Sequence, residues 1–189
     1  MKLILASASP WRKKILAKSG IEFEVQESGY EEHMGLPLPP PALARHLALG
    51  KALMVAKQHQ DAVVLGADTF AVFRGKLLGK PHGKARAIQM LTALSGKTHT
   101  LITGFAIVDS KTGRTFTKTV ATRVKMRKLS PTEIVAYVRT GESLKNAGGY
   151  AIQGKGEKLI ASIVGDSNNV AGLPLAAVKK ELAKFGVRV

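Results

Sequence analysis

Two kinds of apolar segment alternate along this chain, and their order restricts the possible fold more than any other feature. Short apolar runs at residues 2–6 and 62–67 are typical of buried strands, whereas residues 83–94 carry apolar side chains at helical spacing. Strands that alternate with helices predict an α/β fold. Two hairpins interrupt the alternation, one around residues 74–75 and one with its turn at residues 109–113. The sequence therefore predicts the α/β class with a mixed β-sheet.

One helix has a clearly defined start in the sequence. Ser130-Pro131-Thr132-Glu133 is a capping box with proline at the first helical position, and the helix is expected to end before Gly141. This helix follows a long hairpin. We therefore expect two lobes around a central cleft, within a single domain that covers residues 1–189.

The charge of the chain indicates a polyanionic partner. Lys and Arg number 29 against 13 Asp and Glu, which gives a formal net charge of +16. An excess of this size is typical of proteins that bind nucleic acid, anionic membranes or phosphorylated small molecules. The chain has 0 Cys, so disulfides, thiolate metal sites and cysteine nucleophiles are excluded. Since no apolar run approaches the ~20 residues of a membrane span, we expect a cytoplasmic protein without a membrane partner.

The loop after the first predicted strand is a candidate anion site. It contains Ser7 and Ser9, with Pro10 at the first helical position and Arg12 in the first helical turn. Unpaired backbone N–H groups, the helix dipole, hydroxyls and cations would all favour a phosphate there. An ordinary capped helix with a basic face explains the same residues, and the local pattern leaves both interpretations open.

Acidic residues at two places are candidates for metal binding or for activating water. Asp68 follows the apolar run 62–67, and the carboxyl end of a buried strand is where α/β sheets bind ligands. A carboxylate there could hold a divalent cation or orient water; the alternative is a turn aspartate that caps the next hairpin. Glu31 and Glu32 lie on a polar loop, where they either ligate Mg²⁺ together with substrate phosphates or are only solvated.

The remaining basic and histidine motifs are less specific. Lys51 and Lys80 are candidates for neutralising phosphate, although most lone lysines are surface charges. The segment Gly96-Lys97-Thr98 imitates the end of a P-loop, but the earlier glycine of that motif is absent because position 91 is Leu. The histidines show no metal-ligand spacing and are predicted to lie mostly at the surface: His33, His46, His59, His82 and His99.

Five longer motifs follow one another along the chain. They are Leu5-Ala6-Ser7-Ala8-Ser9-Pro10-Trp11-Arg12; Leu65-Gly66-Ala67-Asp68-Thr69 with Leu78-Gly79-Lys80-Pro81; Leu94-Ser95-Gly96-Lys97-Thr98-His99 with Thr103-Gly104; Ala147-Gly148-Gly149-Tyr150-Ala151-Ile152-Gln153-Gly154; and Val170-Ala171-Gly172-Leu173-Pro174. In sequence and order they resemble the motifs of the Maf family, septum-formation-type nucleoside triphosphate pyrophosphatases. The resemblance covers nearly the whole chain and implies a Maf/ITPase-like fold.

The resemblance implies a hydrolase of nucleotide metabolism that cleaves a nucleoside triphosphate to the monophosphate and pyrophosphate. It implies a divalent metal cation, Mg²⁺ or Mn²⁺, held by Glu31 and Asp68, with Asp68 also accepting the proton of the attacking water. By matching position, the residues that would line the phosphate site are Ser7, Arg12, Lys51 and Lys80. The resemblance also implies a homodimer.

Three positions are associated with base specificity in this family, and here they are Trp11, Thr69 and Gln153. Thr69 and Gln153 resemble the branch that acts on dTTP and UTP, whereas Trp11 resembles the branch that acts on 7-methyl-GTP. Two positions against one favour dTTP and UTP, with 7-methyl-GTP as the alternative. The chain also departs from the family at Lys145-Asn146, where Asp-Lys is usual.

A nucleic-acid-binding module is the alternative from a different class of function. It would use the same +16 charge through contacts with phosphates. Aromatic residues make up only 5% of the chain, with one Trp, so stacking surfaces for bases are scarce. No nucleic-acid-binding motif is present either. We therefore expect a nucleoside triphosphate as the partner, and nucleic acid as the less favoured one.

Overall fold

The computed structural model describes residues 2–189 and confirms the predicted mixed α/β class. The strands within this range are β1 (Lys2–Ala6), β2 (Glu24–Val25), β3 (Ala62–Phe73), β4 (Lys76–Leu78), β5 (Thr98–Asp109), β6 (Thr115–Met126) and β7 (Ile160–Val164). The helices are α1 (Pro10–Ala17), α2 (Pro40–Ala56), α3 (Lys84–Leu94), α4 (Pro131–Arg139), α5 (Ser167–Val170) and α6 (Leu175–Ala183), with 3₁₀ turns at Glu142–Lys145, Ala147–Gly149 and Lys155–Leu159. No helix in the described range is long and apolar enough to cross a membrane.

The sheet combines parallel and antiparallel pairs, as the hairpins in the sequence predict. Its strand order is β2-β1-β3-β5-β6-β7, and β4 pairs with β3 off this path. β1 is parallel to both β2 and β3, whereas the β3–β4 and β6–β7 pairs are antiparallel. At the predicted turn between β3 and β4, Arg74 and Gly75 both have positive φ, 51° and 75°. Positive φ at both central residues is what a type I′ hairpin turn requires.

Strand β3 corrects one expectation, because it does not end before Asp68. It continues through Asp68 to Phe73. Its first residues pair with β1 up to Gly66, and its last residues pair with β4 from Ala71 onward. The change of partner makes one long strand look like two short ones in the sequence. Asp68 lies two residues beyond the last β1 pair, so it is still at the carboxyl end of β1.

The first of two compact units comprises the chain up to Asp68, Thr103–Val120 and Gly172–Val189. Its core lies between helix α2 and strands β1, β3 and β5. The buried residues of this core are Ile4, Ala6, Ala48, Ala52, Val55, Ala56, Ala62, Val64, Ala106 and Val108. Most of them are small, so the helix can lie close to the sheet.

Two glycines set how closely α2 approaches the strands. A Cβ atom on Gly66 would lie 2.3 Å from the carbonyl oxygen of Ala48, and one on Gly104 would lie 2.3 Å from the carbonyl carbon of Ala44. Both distances are far shorter than a van der Waals contact, which is about 3.5–4.0 Å between carbon atoms. The helix backbone therefore rests directly on β3 and β5, and this fixes the depth of every side chain on the inner face of α2.

The second unit comprises Thr69–Ile102 and Ala121–Ala171. Helices α3 and α4 supply much of its core, together with β6. The larger buried residues of this core are Leu91, Leu94, Leu101, Val124, Met126, Leu129, Ile134, Tyr137, Val138, Tyr150 and Leu159. The predicted capping box of α4 is confirmed: Glu133 N donates to Ser130 Oγ at 3.2 Å, and Ser130 N donates to Glu133 Oε2 at 2.8 Å. The helix ends at Arg139, before Gly141 as expected.

Most of the histidines lie at or near the surface as predicted, and His99 is the exception. Its side chain is buried in the second unit, with the residue 2% exposed, and Nε2 lies 2.7 Å from the Tyr150 hydroxyl. Nδ1 has no hydrogen-bond partner among the described residues. Burial lowers the pKa of His99 from its ordinary value of 6.5 to about 4. The histidine is therefore neutral in the folded protein at physiological pH.

We expect this buried histidine to make the folded protein less stable in mild acid. Below pH 6.5 the unfolded chain binds a proton at His99 that the folded chain rejects until about pH 4, so the free energy of unfolding falls across this window. The full shift corresponds to roughly 3 kcal/mol. Urea unfolding at pH values from 7.5 to 4.5 measures how the free energy of unfolding falls with pH. In His99→Phe the fall that His99 causes should be absent. In the control variant His46→Gln, at an exposed histidine, it should be unchanged. Equal slopes for His99→Phe and the natural protein would contradict the assignment.

Candidate functional site

The loop after β1 is built around two serine hydroxyls. Ser7 follows the last residue of β1, and its Oγ accepts a hydrogen bond from Ser9 N at 3.1 Å. Ser9 is the N-cap of α1, where its Oγ accepts from Arg12 N at 3.4 Å, and Pro10 is at the first helical position as predicted. The first turn of α1 has no acidic residue. Its remaining N–H groups and the helix dipole therefore favour an anion at this end.

Arg12 is held in place by two further hydrogen bonds. Its Nη1 donates to Ser7 Oγ at 3.3 Å, and its Nε donates to the carbonyl oxygen of Gly172 at 2.9 Å. Burial lowers the pKa of Arg12, while the carboxylates of Asp68 and Glu32 act in the opposite direction. A guanidinium stays charged in proteins even so. The site thus contains a fixed positive charge close enough to both carboxylates to interact with them.

Lys51 lies at the centre of the site, on the inner face of α2. It is buried, although most lysines of folded proteins are exposed. Its Nζ lies 2.7 Å from Glu32 Oε1 and donates a short hydrogen bond to Asp68 Oδ1. Helix α2 can bring the ammonium to Asp68 only because Gly66 and Gly104 let its backbone rest on the sheet. The alternative interpretation of Lys51 as a solvent-exposed surface charge is therefore wrong.

Asp68 is the most deeply buried carboxylate of this cluster, with the residue 5% exposed. Burial raises the pKa of Asp68, against the opposing effect of the cations of Lys51 and Arg12, and Glu32 raises it further. A carboxylate whose pKa is raised binds a proton more readily. Among residues 2–189 the Asp68 carboxylate accepts its hydrogen bond from Lys51, which argues against the interpretation of Asp68 as a turn cap.

The donor set of the cluster suits a divalent metal cation. Asp68 and Glu32 already direct oxygens at one cation, the Lys51 ammonium, and carboxylate oxygens are the ligands that Mg²⁺ and Mn²⁺ prefer. Residues 2–189 contain no group of three or more His, Asp or Glu side chains able to hold a metal. Two carboxylates are nevertheless the usual protein contribution to a Mg²⁺ site that substrate phosphates complete.

The structure distinguishes the two candidate glutamates of the loop. The family resemblance implies Glu31 as the metal ligand, and Glu31 is an exposed residue with no ion pair in the described part of the chain. Glu32 is the carboxylate that contacts Lys51, and its side chain is 46% exposed. The metal-binding roles of Glu31 and Glu32 both stay predictions.

The other predicted residues lie as follows. Trp11 is half-buried on α1, and the Lys14 ammonium lies 4.8 Å from the centroid of its ring. In the second unit, Thr69 is a half-buried residue of β3, Lys80 is exposed after β4, and Gln153 is exposed in a turn. The structure brings Ser7, Arg12, Lys51 and Asp68 together within the first unit.

The turn that carries Gln153 is fastened by Glu142. The Glu142 carboxylate accepts hydrogen bonds from Lys155 N at 3.1 Å, from Gly156 N at 2.9 Å and from the Tyr137 hydroxyl at 2.8 Å. Asn146, one of the two residues that depart from the family pattern, donates from Nδ2 to the Glu142 carbonyl oxygen at 2.9 Å. The departure is therefore accommodated by a hydrogen bond that closes the 3₁₀ turn beneath Glu142.

Comparison with known proteins gives one consistent result. The sequence model of the family described as Maf-like protein matches residues 2–185. Proteins named dTTP/UTP pyrophosphatase are similar along the whole chain: one from Moorella thermoacetica is 50% identical and one from Gloeobacter violaceus is 47% identical. Each match covers 100% of this chain, and 97% and 98% of those two proteins respectively. A protein of the same name from Bacillus anthracis is 44% identical over 100% of this chain and 97% of its own length.

Comparison with solved structures also finds a similar fold. A HAM1 protein from Coxiella burnetii superposes with a TM-score of 0.54 at 15% sequence identity, over 97% of this chain and 99% of that one. At this level of identity the likeness concerns the fold alone. It agrees with the mixed sheet and the helices described above.

Proposed function

The chain belongs to the Maf-like protein family, and on this premise we propose that it hydrolyses a nucleoside triphosphate, dTTP or UTP in preference, to the monophosphate and pyrophosphate. The structural observation that carries the proposal is the cluster in which the buried Lys51 contacts both Asp68 and Glu32, with Arg12 nearby. These groups are the ones that phosphate-anhydride hydrolysis needs: a base for water and fixed cations for the leaving group. The proposal includes a cytoplasmic location and a single Maf-like domain that covers the whole chain.

Asp68 is the proposed proton acceptor. Water attacks the α-phosphorus, its proton passes to the Asp68 carboxylate, and the bond between that phosphorus and the bridging oxygen breaks. The bridging oxygen leaves with the β-phosphorus as pyrophosphate. Burial raises the pKa of Asp68, which makes the carboxylate a stronger base than an exposed aspartate.

Ser7, Arg12, Lys51 and Lys80 are proposed to bind the phosphates. Arg12 is pre-oriented by its bonds to Ser7 and Gly172, so little conformational freedom is lost when phosphate binds. Asp68 with Glu32 or Glu31 would hold the divalent cation, which when bound neutralises charge on the phosphate oxygens. The homodimer implied by the family resemblance is part of the proposal, and its mass in solution is the measurement that checks it.

A panel of nucleoside triphosphates with Mg²⁺ or Mn²⁺ tests the proposal. The expected products are pyrophosphate and the monophosphate, without orthophosphate. In ¹⁸O-labelled water the label should enter the monophosphate, because attack is at the α-phosphorus. Release of orthophosphate alone, or label in the pyrophosphate, would contradict the proposed reaction.

The surroundings of Trp11 favour a neutral base over a cationic one. The Lys14 ammonium already lies over its ring, and a cation over an aromatic face is stabilised by ~0.5–2 kcal/mol. A cationic 7-methylguanine would compete with Lys14 for that ring and be repelled by it, whereas neutral thymine and uracil would not. This contact adds to Thr69 and Gln153 in favouring dTTP and UTP over 7-methyl-GTP.

Trp11→Arg is expected to raise the ratio of kcat/KM for dTTP over that for 7-methyl-GTP. Any remaining stacking of 7-methylguanine on the indole would be lost, which corresponds to between about 2-fold and 30-fold. Activity on dTTP should be kept or increased. The measurement is a side-by-side comparison of both substrates. An unchanged ratio would show that Trp11 does not contact the base.

A further inference from the structure

The loop between β2 and α2 carries Glu32. At its start, Gln26 N donates to the carbonyl oxygen of Leu5 at 3.1 Å, and the Gln26 side chain hydrogen-bonds to Gln58 and His59. Helix α2 begins at Pro40. Between these ends, the Glu32–Lys51 ion pair and the ring of Tyr30 both connect the loop to α2.

The ring of Tyr30 lies directly on the backbone of α2 at Gly50. A Cβ atom on Gly50 would lie 2.3 Å from Tyr30 Cζ and 2.5 Å from Cε2. Only glycine leaves room for the ring at this distance. Gly50 is in the middle of a helix, where glycine is less stable than alanine by about 1 kcal/mol. The helix is therefore locally less stable at a residue that the ring covers.

Both residues of this contact are close in sequence to residues of the cluster. Gly50 precedes Lys51, and Tyr30 stands two residues before Glu32. Two residues of extended chain span at most ~7 Å, so a ring fixed on Gly50 confines the Glu32 carboxylate to the neighbourhood of Lys51. The Tyr30 hydroxyl has no hydrogen bond within residues 2–189. The contact therefore does not depend on a hydrogen bond from the hydroxyl.

We propose that Tyr30, seated on Gly50, is a positioning residue that holds Glu32 at the Lys51–Asp68 pair and so completes the cation site. The inference rests on the proposed function for its catalytic meaning. The binding of a divalent cation and the mobility of the loop can both be measured without turnover. The competing interpretation is that Tyr30 merely covers part of α2 and has no effect on the cluster.

Gly50→Ala is the decisive variant. The new methyl group must displace the ring, and the ring can move because it is the far end of a side chain, while the helix itself gains propensity. We expect Mn²⁺ binding, followed by the paramagnetic resonance of free Mn²⁺, to weaken about 10-fold, the lower end of the range for residues that orient metal ligands. Amide hydrogen exchange over residues 27–38 should become faster. The Mg²⁺ concentration that gives half-maximal activity should rise by a similar factor, while kcat at saturating metal should change little.

Gly35→Ala is the matched control. Gly35 lies in the same loop, and a Cβ there would meet nothing within 4 Å. Binding and exchange should stay within about 2-fold of the natural protein. Tyr30→Phe should behave like the natural protein, Tyr30→Ala should reproduce Gly50→Ala, and the double variant should be no worse than either single one.

The outcomes separate this inference from the proposed function. A protein that binds Mn²⁺ and responds to Gly50→Ala, but hydrolyses no nucleoside triphosphate, would overturn the function and leave Tyr30 as a positioning residue. Active protein in which Gly50→Ala and Tyr30→Ala change neither Mn²⁺ binding nor loop exchange would overturn the inference and leave the function. Absence of Mn²⁺ binding in the natural protein would also overturn the inference.

Discussion

Asp68→Asn is expected to lower kcat for dTTP by about 10²–10⁴-fold, the contribution typical of a general base. The amide has almost the same shape as the carboxylate, but it cannot accept the proton of the attacking water. It also removes one of the two charged oxygen groups that face the Lys51 ammonium. The measurement is pyrophosphate release under saturating substrate and metal.

Folding should not obscure the effect of Asp68→Asn. Burial raises the pKa of Asp68, which means that the protein environment favours the uncharged form, and the amide is uncharged at every pH. Lys51 keeps its ion pair with Glu32. We therefore expect the variant to unfold at a temperature equal to or above that of the natural protein.

Asp109→Asn provides the matched control for Asp68→Asn. Asp109 is another largely buried aspartate of the first unit, but its carboxylate caps the turn after β5 through Lys111 and Thr112. This variant should lose some stability and keep its turnover within about 2-fold. If Asp68→Asn retained half of the activity, Asp68 would be a structural residue and the proposed base would have to be another group.

Local signals in the sequence predicted the helix starts around the site. Ser9 with Pro10, and Ser130 with Glu133, cap α1 and α4 as expected, because a cap depends on residues within one turn of each other. The same local pattern offers an anion site in the first loop as one of two interpretations, and that site stays a prediction. These parts of the fold need no knowledge of distant contacts.

Which residues form the cluster could not be predicted from the sequence, because their contacts depend on the tertiary structure. Glu32 and Lys51 meet across a loop of irregular backbone, and no periodicity relates them. Asp68 looked like the end of a strand because β3 changes partners there. One signal was available: Lys51 lies four residues after Leu47 and eight after Leu43, so helical spacing places it on the apolar face of α2. A lysine on an apolar face is a reason to look for carboxylates near it.

Gly104 belongs to a motif that sequence comparison identifies but does not explain, and the structure supplies the reason. A Cβ at this position would lie 2.3 Å from the carbonyl carbon of Ala44, 2.4 Å from its oxygen and 2.5 Å from Arg45 N. All three are backbone atoms of α2, which cannot rotate away as a side chain can. The helix would have to lift from β5.

Gly104→Ala is therefore expected to destabilise the fold by more than about 3 kcal/mol, above the usual 1–3 kcal/mol of an overpacked core, because the obstacle is backbone. Protein that still folds should also be less active, since lifting α2 moves Lys51 away from Asp68. Urea unfolding and pyrophosphate release on the same preparation measure both effects. Gly79→Ala, where a Cβ meets nothing within 4 Å, should change the free energy of unfolding by less than about 0.5 kcal/mol. A Gly104→Ala protein with natural stability would contradict the close approach of α2 to β5 and, with it, the position of Lys51 beside Asp68.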